Sequence, residues 1–154
     1  AGPPSLQSCT RDVYPNGLRM PPRLALGIAH DVANAVAHLH RRGVMHGDLY
    51  AHNILIDPVH GQARLGDFGA ATRLPMDQPD LRQRLLAIEV RAFGCLLQEL
   101  ADHTTATVPV AMPEATSEAL QALAHACLSP VPSERPGMSD VAAQCGALAN
   151  ALAA

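Results

Sequence analysis

A chain of 154 residues with 48% apolar content is long enough for one hydrophobic core and too short for two. Its net charge of −3 offers no basic footprint for nucleic acid, and no run of about 18 apolar residues marks a membrane span. The N-terminus, AGPPSLQSCTRD, has neither a basic start nor an apolar h-region, so nothing marks secretion.

The four cysteines (Cys9, Cys95, Cys127, Cys145) are scattered without CxxC spacing, which fits a reducing, cytoplasmic setting. Cys95, Cys127 and Cys145 fall on apolar helix faces, where a thiol is a small core hydrophobe. All eleven basic residues are arginine and none is lysine, and with the abundant alanine this composition points to a GC-rich, bacterial genome.

Residues 1–20, punctuated by Gly2-Pro3-Pro4 and Pro15-Asn16-Gly17, read as loop. Pro21-Pro22 then opens a helix, where proline's missing N–H costs nothing. Leu24, Ile28, Val32, Val36 and Leu39 give it one apolar stripe, and Gly43 stops it. His38 and His40 fall on different faces of this helix and read as solvent-exposed. Val44-Met45 follows as a short strand.

Two strand-like runs come next, Asn53-Ile54-Leu55-Ile56 and Ala63-Arg64-Leu65, joined by a turn over Asp57 to Gly61. Pairing them as a hairpin sets the start of the first beside the end of the second. Asp48 and Asn53 precede the first run and Asp67 follows the second, so three oxygen-bearing side chains are expected to converge. An all-oxygen set of this kind suits Mg²⁺, which takes one or two carboxylates and leaves positions for phosphate oxygens.

Residues 46–53, HGDLYAHN, resemble the protein-kinase catalytic loop H-R-D-L-x-x-x-N, and residues 67–69 are the D-F-G triplet that follows it in that family. The resemblance implies that Asp48 is the catalytic base, that Asn53 and Asp67 hold magnesium, and that Leu55 lies under the adenine of ATP.

Ala70 to Gln78 read as loop, and from Asp80 an apolar period at Leu81, Leu85, Ile88, Ala92, Leu96 and Leu100 predicts a buried helix. Within it, Glu89 to Gly94 resembles the D-V-W-S-F-G start of the central kinase helix, which implies that Glu89 accepts hydrogen bonds from the catalytic-loop backbone. Phe68 and Phe93, the two phenylalanines, are expected to anchor packing. A linker over 104–116 with Pro109 and Pro113 leads to a helix capped by Thr116 or Ser117, with Leu120, Leu123, Ala124, Cys127 and Leu128 on one face. Pro130 to Pro136 resembles the D-P-x-x-R-P signature, with Arg135 the matching arginine. A last helix from near Ser139 carries Val141, Cys145, Leu148 and Leu152.

The expected fold is mainly α with a small β-hairpin region. Residues 1–154 are expected to form a single domain similar to the C-terminal lobe of a protein kinase, with the small lobe absent and its counterpart lying upstream. Several departures shape the functional reading. No lysine is present to hold the α- and β-phosphates. Gly47 replaces the loop arginine that reads an activation-loop phosphate. Tyr50 and His52 occupy positions often held by Lys or Arg, and His52 is the better placed to meet a phosphate through a ring nitrogen. The stretch after D-F-G is short, no A-P-E triplet follows, and Arg135 lacks its usual glutamate partner.

The leading reading is an ATP- and Mg²⁺-dependent transferase of the γ-phosphate to a protein hydroxyl, inactive as an isolated lobe. The alternatives are a small-molecule phosphotransferase similar to aminoglycoside and choline kinases, whose H-G-D start Gly47 matches, and a pseudokinase binding module. The remaining histidines show no paired metal spacing, so no zinc site is expected.

Overall fold

The computed structural model describes residues 12–57, 59–104 and 112–152. Residues 1–11 of the loop expected over 1–20, with Cys9, and the linker's Pro109 lie outside the described residues. Helix α1 (Pro22–Arg41) starts where proline presets a helical φ without losing a hydrogen bond. It ends at Arg42 and Gly43, whose φ of +71° reverses the chain.

Strand β1 (Val44–Met45) leads into a 3₁₀ turn (Ala51–Asn53), and β2 (Ile54–Ile56) pairs antiparallel with β3 (Ala63–Leu65) in the register Ile54 to Leu65 and Ile56 to Ala63. Asn53 thus lies in the turn that launches the hairpin, one residue before its first strand. The hairpin is held to α1 by Asp31, whose Oδ2 accepts from the Ala63 N–H at 2.9 Å.

The stretch Ala70 to Gln78, expected to be loop, is more ordered than that. A second 3₁₀ turn (Phe68–Ala70) is followed by β4 (Thr72–Arg73), which pairs antiparallel with β1, Val44 opposite Arg73 and Met45 opposite Thr72. Two residues carry too little pattern to announce a strand, and their partner lies nearly thirty positions earlier.

Helix α2 (Pro79–His103) is the longest element. Its buried face runs through Ala87, Val90, Phe93, Gly94, Leu97 and Leu100. Leu96 and Leu100 of the expected stripe are buried, whereas Leu81 and Ile88 are exposed, because the helix turns its 87/90/94/97 face to its neighbours. Gly94 marks the close approach to α3 (Glu114–Cys127): a Cβ there would lie 2.8 Å from the Cys127 Cβ. Helix α3 starts earlier than expected. Pro113 is its N-cap residue (φ −54°, ψ 140°), and Thr116, one of the two residues expected to cap it, is buried in its first turn. A third 3₁₀ turn (Pro132–Glu134) leads to α4 (Met138–Ala151).

Helix α1 packs chiefly on α4, and α2 on α3. The core between them contains Leu26, Val32, Val36, Phe93, Leu97, Leu120, Val141, Cys127 and Cys145, each at most 2% exposed. Burial pushes both core thiols up to about 12, so they remain neutral packing groups. Cys95 is only half-buried. The fold is therefore mainly helical, with two two-stranded sheets among the described residues. No helix among the described residues is long and apolar enough to cross a membrane.

Candidate active site

The turn between β1 and β2 is built on a buried histidine. His46 is fully buried; its Nε2–H donates to the Gly66 carbonyl at 2.8 Å and its Nδ1 accepts from the Asp48 N–H at 3.3 Å. These partners require the neutral tautomer protonated at Nε2. The imidazole thereby joins the residue before Asp67 to the residue that carries the candidate base. Phe68 lays its ring edge-on against His46, centroids 4.9 Å apart, but is half exposed and not the core anchor expected of it. Phe93 fills that role.

Gly47 is required twice. Its φ is +81°, and a Cβ would stand 2.5 Å from the Ala70 carbonyl oxygen. The segment that follows Asp67 therefore runs directly over Gly47. The Gly47 N–H donates to Glu89 Oε1 at 2.8 Å, as the resemblance implied. The other oxygen, Oε2, accepts from His40 Nε2 at 2.7 Å, and Glu89 is only 2% exposed.

His40 is thus buried and bonded, contrary to the exposed position expected. It lies four residues after Val36, on the same buried face, and that spacing was the available signal. Burial disfavours the charged Glu89 carboxylate, but hydrogen bonds from His40 and from the Gly47 and His46 amides outweigh it, holding the carboxyl below its ordinary value.

Asp48 and Asn53 are in direct contact. The Asn53 Nδ2 donates to the Asp48 backbone oxygen at 2.8 Å and to its Oδ2 at 3.0 Å. Both bonds use the amide nitrogen, which leaves Oδ1 as the acceptor that Asn53 offers elsewhere. Asp67 enters the site through Gly66, whose N–H donates to the Asn53 carbonyl at 2.8 Å. Asp67 has a left-handed backbone (φ 51°), rare outside glycine, and its Oδ1 accepts from the Gly69 N–H at 3.1 Å.

Asp48 and Asn53 are thus joined locally, ahead of β2, and the hairpin register sets Asp67 two residues past the end of β3, next to the Gly66 that bonds Asn53. Leu55 projects from the neighbouring strand, 67% exposed. Among the described residues no cluster of three or more His, Cys, Asp or Glu side chains forms a metal cage. Asn53 and Asp67 form instead a sparse all-oxygen pair, which fits a magnesium ion that keeps water and phosphate oxygens as its other ligands.

Sequence reasoning missed one more support. Asp12, with its side chain fully buried, accepts from the His52 N–H at 3.1 Å and from His52 Nδ1 at 2.7 Å. This occupies the ring nitrogen nearest the turn and ties the segment before α1 to the residue preceding Asn53. Tyr50 stacks on His52 at 5.7 Å. Burial and the neighbouring Asp48 carboxylate raise the Tyr50 hydroxyl, which stays protonated. Tyr14 donates to Glu99 Oε2 at 2.8 Å from the same segment.

Comparison with known proteins points to one family. The protein kinase domain model matches residues 6–92, more than half of the chain. The glycogen synthase kinase-3 homolog YGK3 of Saccharomyces cerevisiae is 35% identical over 103 residues, 67% of this chain and 27% of that protein. Protein kinase MCK1 of the same yeast is 33% identical over 115 residues, 64% of this chain and 31% of its own length. The serine/threonine-protein kinase PrkC of Bacillus subtilis is 43% identical over 53 residues, 34% of this chain and 8% of that protein. The chain spans less than a third of the length of each of these relatives.

Proposed function

This chain belongs to the protein kinase family, and we propose from that premise that it supplies the base and metal-binding half of a phosphotransferase acting on protein hydroxyls. The observation that carries this reading is the Asp48 carboxylate held by the Asn53 amide, with the Gly66 N–H, next to Asp67, bonded to the Asn53 carbonyl. Asp48 orients the acceptor hydroxyl and takes its proton. Its Oδ2 is held by the Asn53 amide, and its backbone N–H is held by His46, so the carboxylate has a set direction. Asn53 Oδ1 and the Asp67 carboxylate hold magnesium, which neutralises charge developing on the transferred phosphate. Leu55, exposed on the hairpin, provides an apolar surface under the adenine.

The chain has no lysine to position the α- and β-phosphates, so a nucleotide-gripping lobe encoded upstream completes the enzyme, and the 154 residues alone transfer little phosphate. A second reading, transfer to a small-molecule hydroxyl as in aminoglycoside and choline kinases, is favoured by Gly47 alone, whose H-G-D context resembles theirs.

The test is phosphate transfer from Mg·ATP by the complete reading frame, offered a mixed protein acceptor and, separately, an aminoglycoside or choline. Labelled protein is expected, reduced about 10²–10⁴-fold by Asp48→Asn. Label on the small alcohol instead supports the second reading. Transfer unaffected by Asp48→Asn refutes the assignment of the base.

A further inference from the structure

Behind the His40–Glu89 pair that supports the catalytic turn lies a concentration of uncompensated positive charge. A cavity of about 350 Å³ lies where the end of α1, the start of α2 and the turn before α4 meet. Arg41, Arg82 and Arg135 line it, one from each of these elements, together with Gly137 and Ser139. No Asp or Glu is among the lining residues. Among the described residues every contact between a carboxylate and a basic group within 4.0 Å involves a histidine, so none of these arginines is neutralised. In a protein of net charge −3 this gathering is not a consequence of composition.

Two of the three guanidiniums are informative in detail. Arg135 donates from Nε to the Ser129 carbonyl at 2.9 Å and from Nη1 to the Ala87 carbonyl at 2.8 Å. That fixes the plane of its guanidinium and leaves the Nη2 edge uncommitted by these bonds. Arg82 has its Nε buried without a hydrogen-bond partner. The Nε is closed to solvent, so Arg82 can offer the cavity only the terminal nitrogens of its guanidinium. Gly137, the N-cap of α4, and Ser139 in its first turn also line the cavity, while Asp140 in the same turn offsets the positive end of the helix. The floor, Leu86, Ala87 and Val90, is apolar and strengthens each of these interactions by excluding water.

We propose that this cavity is a binding site for a phosphate group, separate from the candidate active site. A phosphate carries up to two negative charges and three acceptor oxygens, which matches three guanidiniums better than a single carboxylate does. The site stands on the arginines alone and is independent of the phosphotransfer reading.

The test is titration of the full chain with inorganic phosphate at constant ionic strength, following the arginine Nε–H resonances by NMR. The Arg82 and Arg135 resonances are expected to move saturably, with binding at least tenfold weaker in Arg82→Gln and in Arg41→Gln. Both substitutions lie on the surface of the cavity, and neither residue makes a hydrogen bond that the fold relies on. Equal shifts with chloride or acetate, or unchanged phosphate affinity in both variants, overturn the proposal.

Discussion

Replacing Gly47 by alanine tests the packing of the catalytic turn with one methyl group. Two costs act together. The backbone sits at φ +81°, where a Cβ costs about 1–2 kcal/mol. The new Cβ would also meet the Ala70 carbonyl oxygen at 2.5 Å, and this neighbour is backbone and cannot rotate away. Such overpacking costs about 1–3 kcal/mol, so the total is about 2–5 kcal/mol. For a chain of this size that lowers the melting temperature by about 4–20 °C.

Gly17 provides the internal control. Its φ is +77°, but nothing lies within 4 Å of a Cβ built there, so Gly17→Ala carries the backbone strain alone. The measurement is the urea midpoint of both variants by far-ultraviolet circular dichroism. A Gly47→Ala loss within about 0.5 kcal/mol of the Gly17→Ala loss refutes the argument from contact. Gly47→Arg, which restores the residue usual at this place in protein kinases, is expected to be worse than alanine for the same reason.

Glu89→Ala leaves His40 Nε2 and the Gly47 N–H without their buried acceptor, and denaturant titration is expected to show a loss of about 3–5 kcal/mol. The same group sets a pH dependence. Its folded-state carboxyl lies below the ordinary 4.5, so its stabilising contribution is complete above that pH and is lost as pH falls through the lower folded value. The stability difference between wild type and Glu89→Gln is expected to narrow on acidification below pH 4.5; a constant difference refutes the coupling. Gly94→Ala sets about 1 kcal/mol of gained helix propensity against a Cβ 2.8 Å from Cys127 and 2.9 Å from the Leu128 Cγ. The contact is expected to dominate by about 1–3 kcal/mol, and a raised melting temperature would contradict it.

Much of the site was legible because it is local. The β2–β3 hairpin is announced by its apolar runs and by the turn chemistry of Asp57 to Gly61, and Asp48 meets Asn53 five residues later in the same loop. What was not legible depends on tertiary register. Strand β4 is two residues whose partner is β1. Asp12 finds His52 forty residues later, a separation at which no local pattern operates. His40 was misread because it was weighed with His38 and not with the apolar stripe, although its spacing from Val36 placed it on the buried face. The start of α3 was misplaced because Pro113 presets the geometry that a hydroxyl cap was expected to provide. Ile88 shows the limit of periodicity itself: it fits a three-to-four repeat and still faces solvent.

The His40–Glu89 bond also constrains how this sequence can drift. Losing either partner alone strands a buried polar or charged group, whereas losing both to apolar residues of similar volume removes the unmet demand together. Glu89, however, has a second client in the Gly47 amide, and no substitution at position 40 relieves that obligation. A path from this pair to an apolar pair therefore crosses a valley whichever residue changes first, and its far side still leaves the catalytic turn without an acceptor. The two positions form an epistatic unit with the glycine, so that a choice made on one helix restricts what mutation can later do on the other.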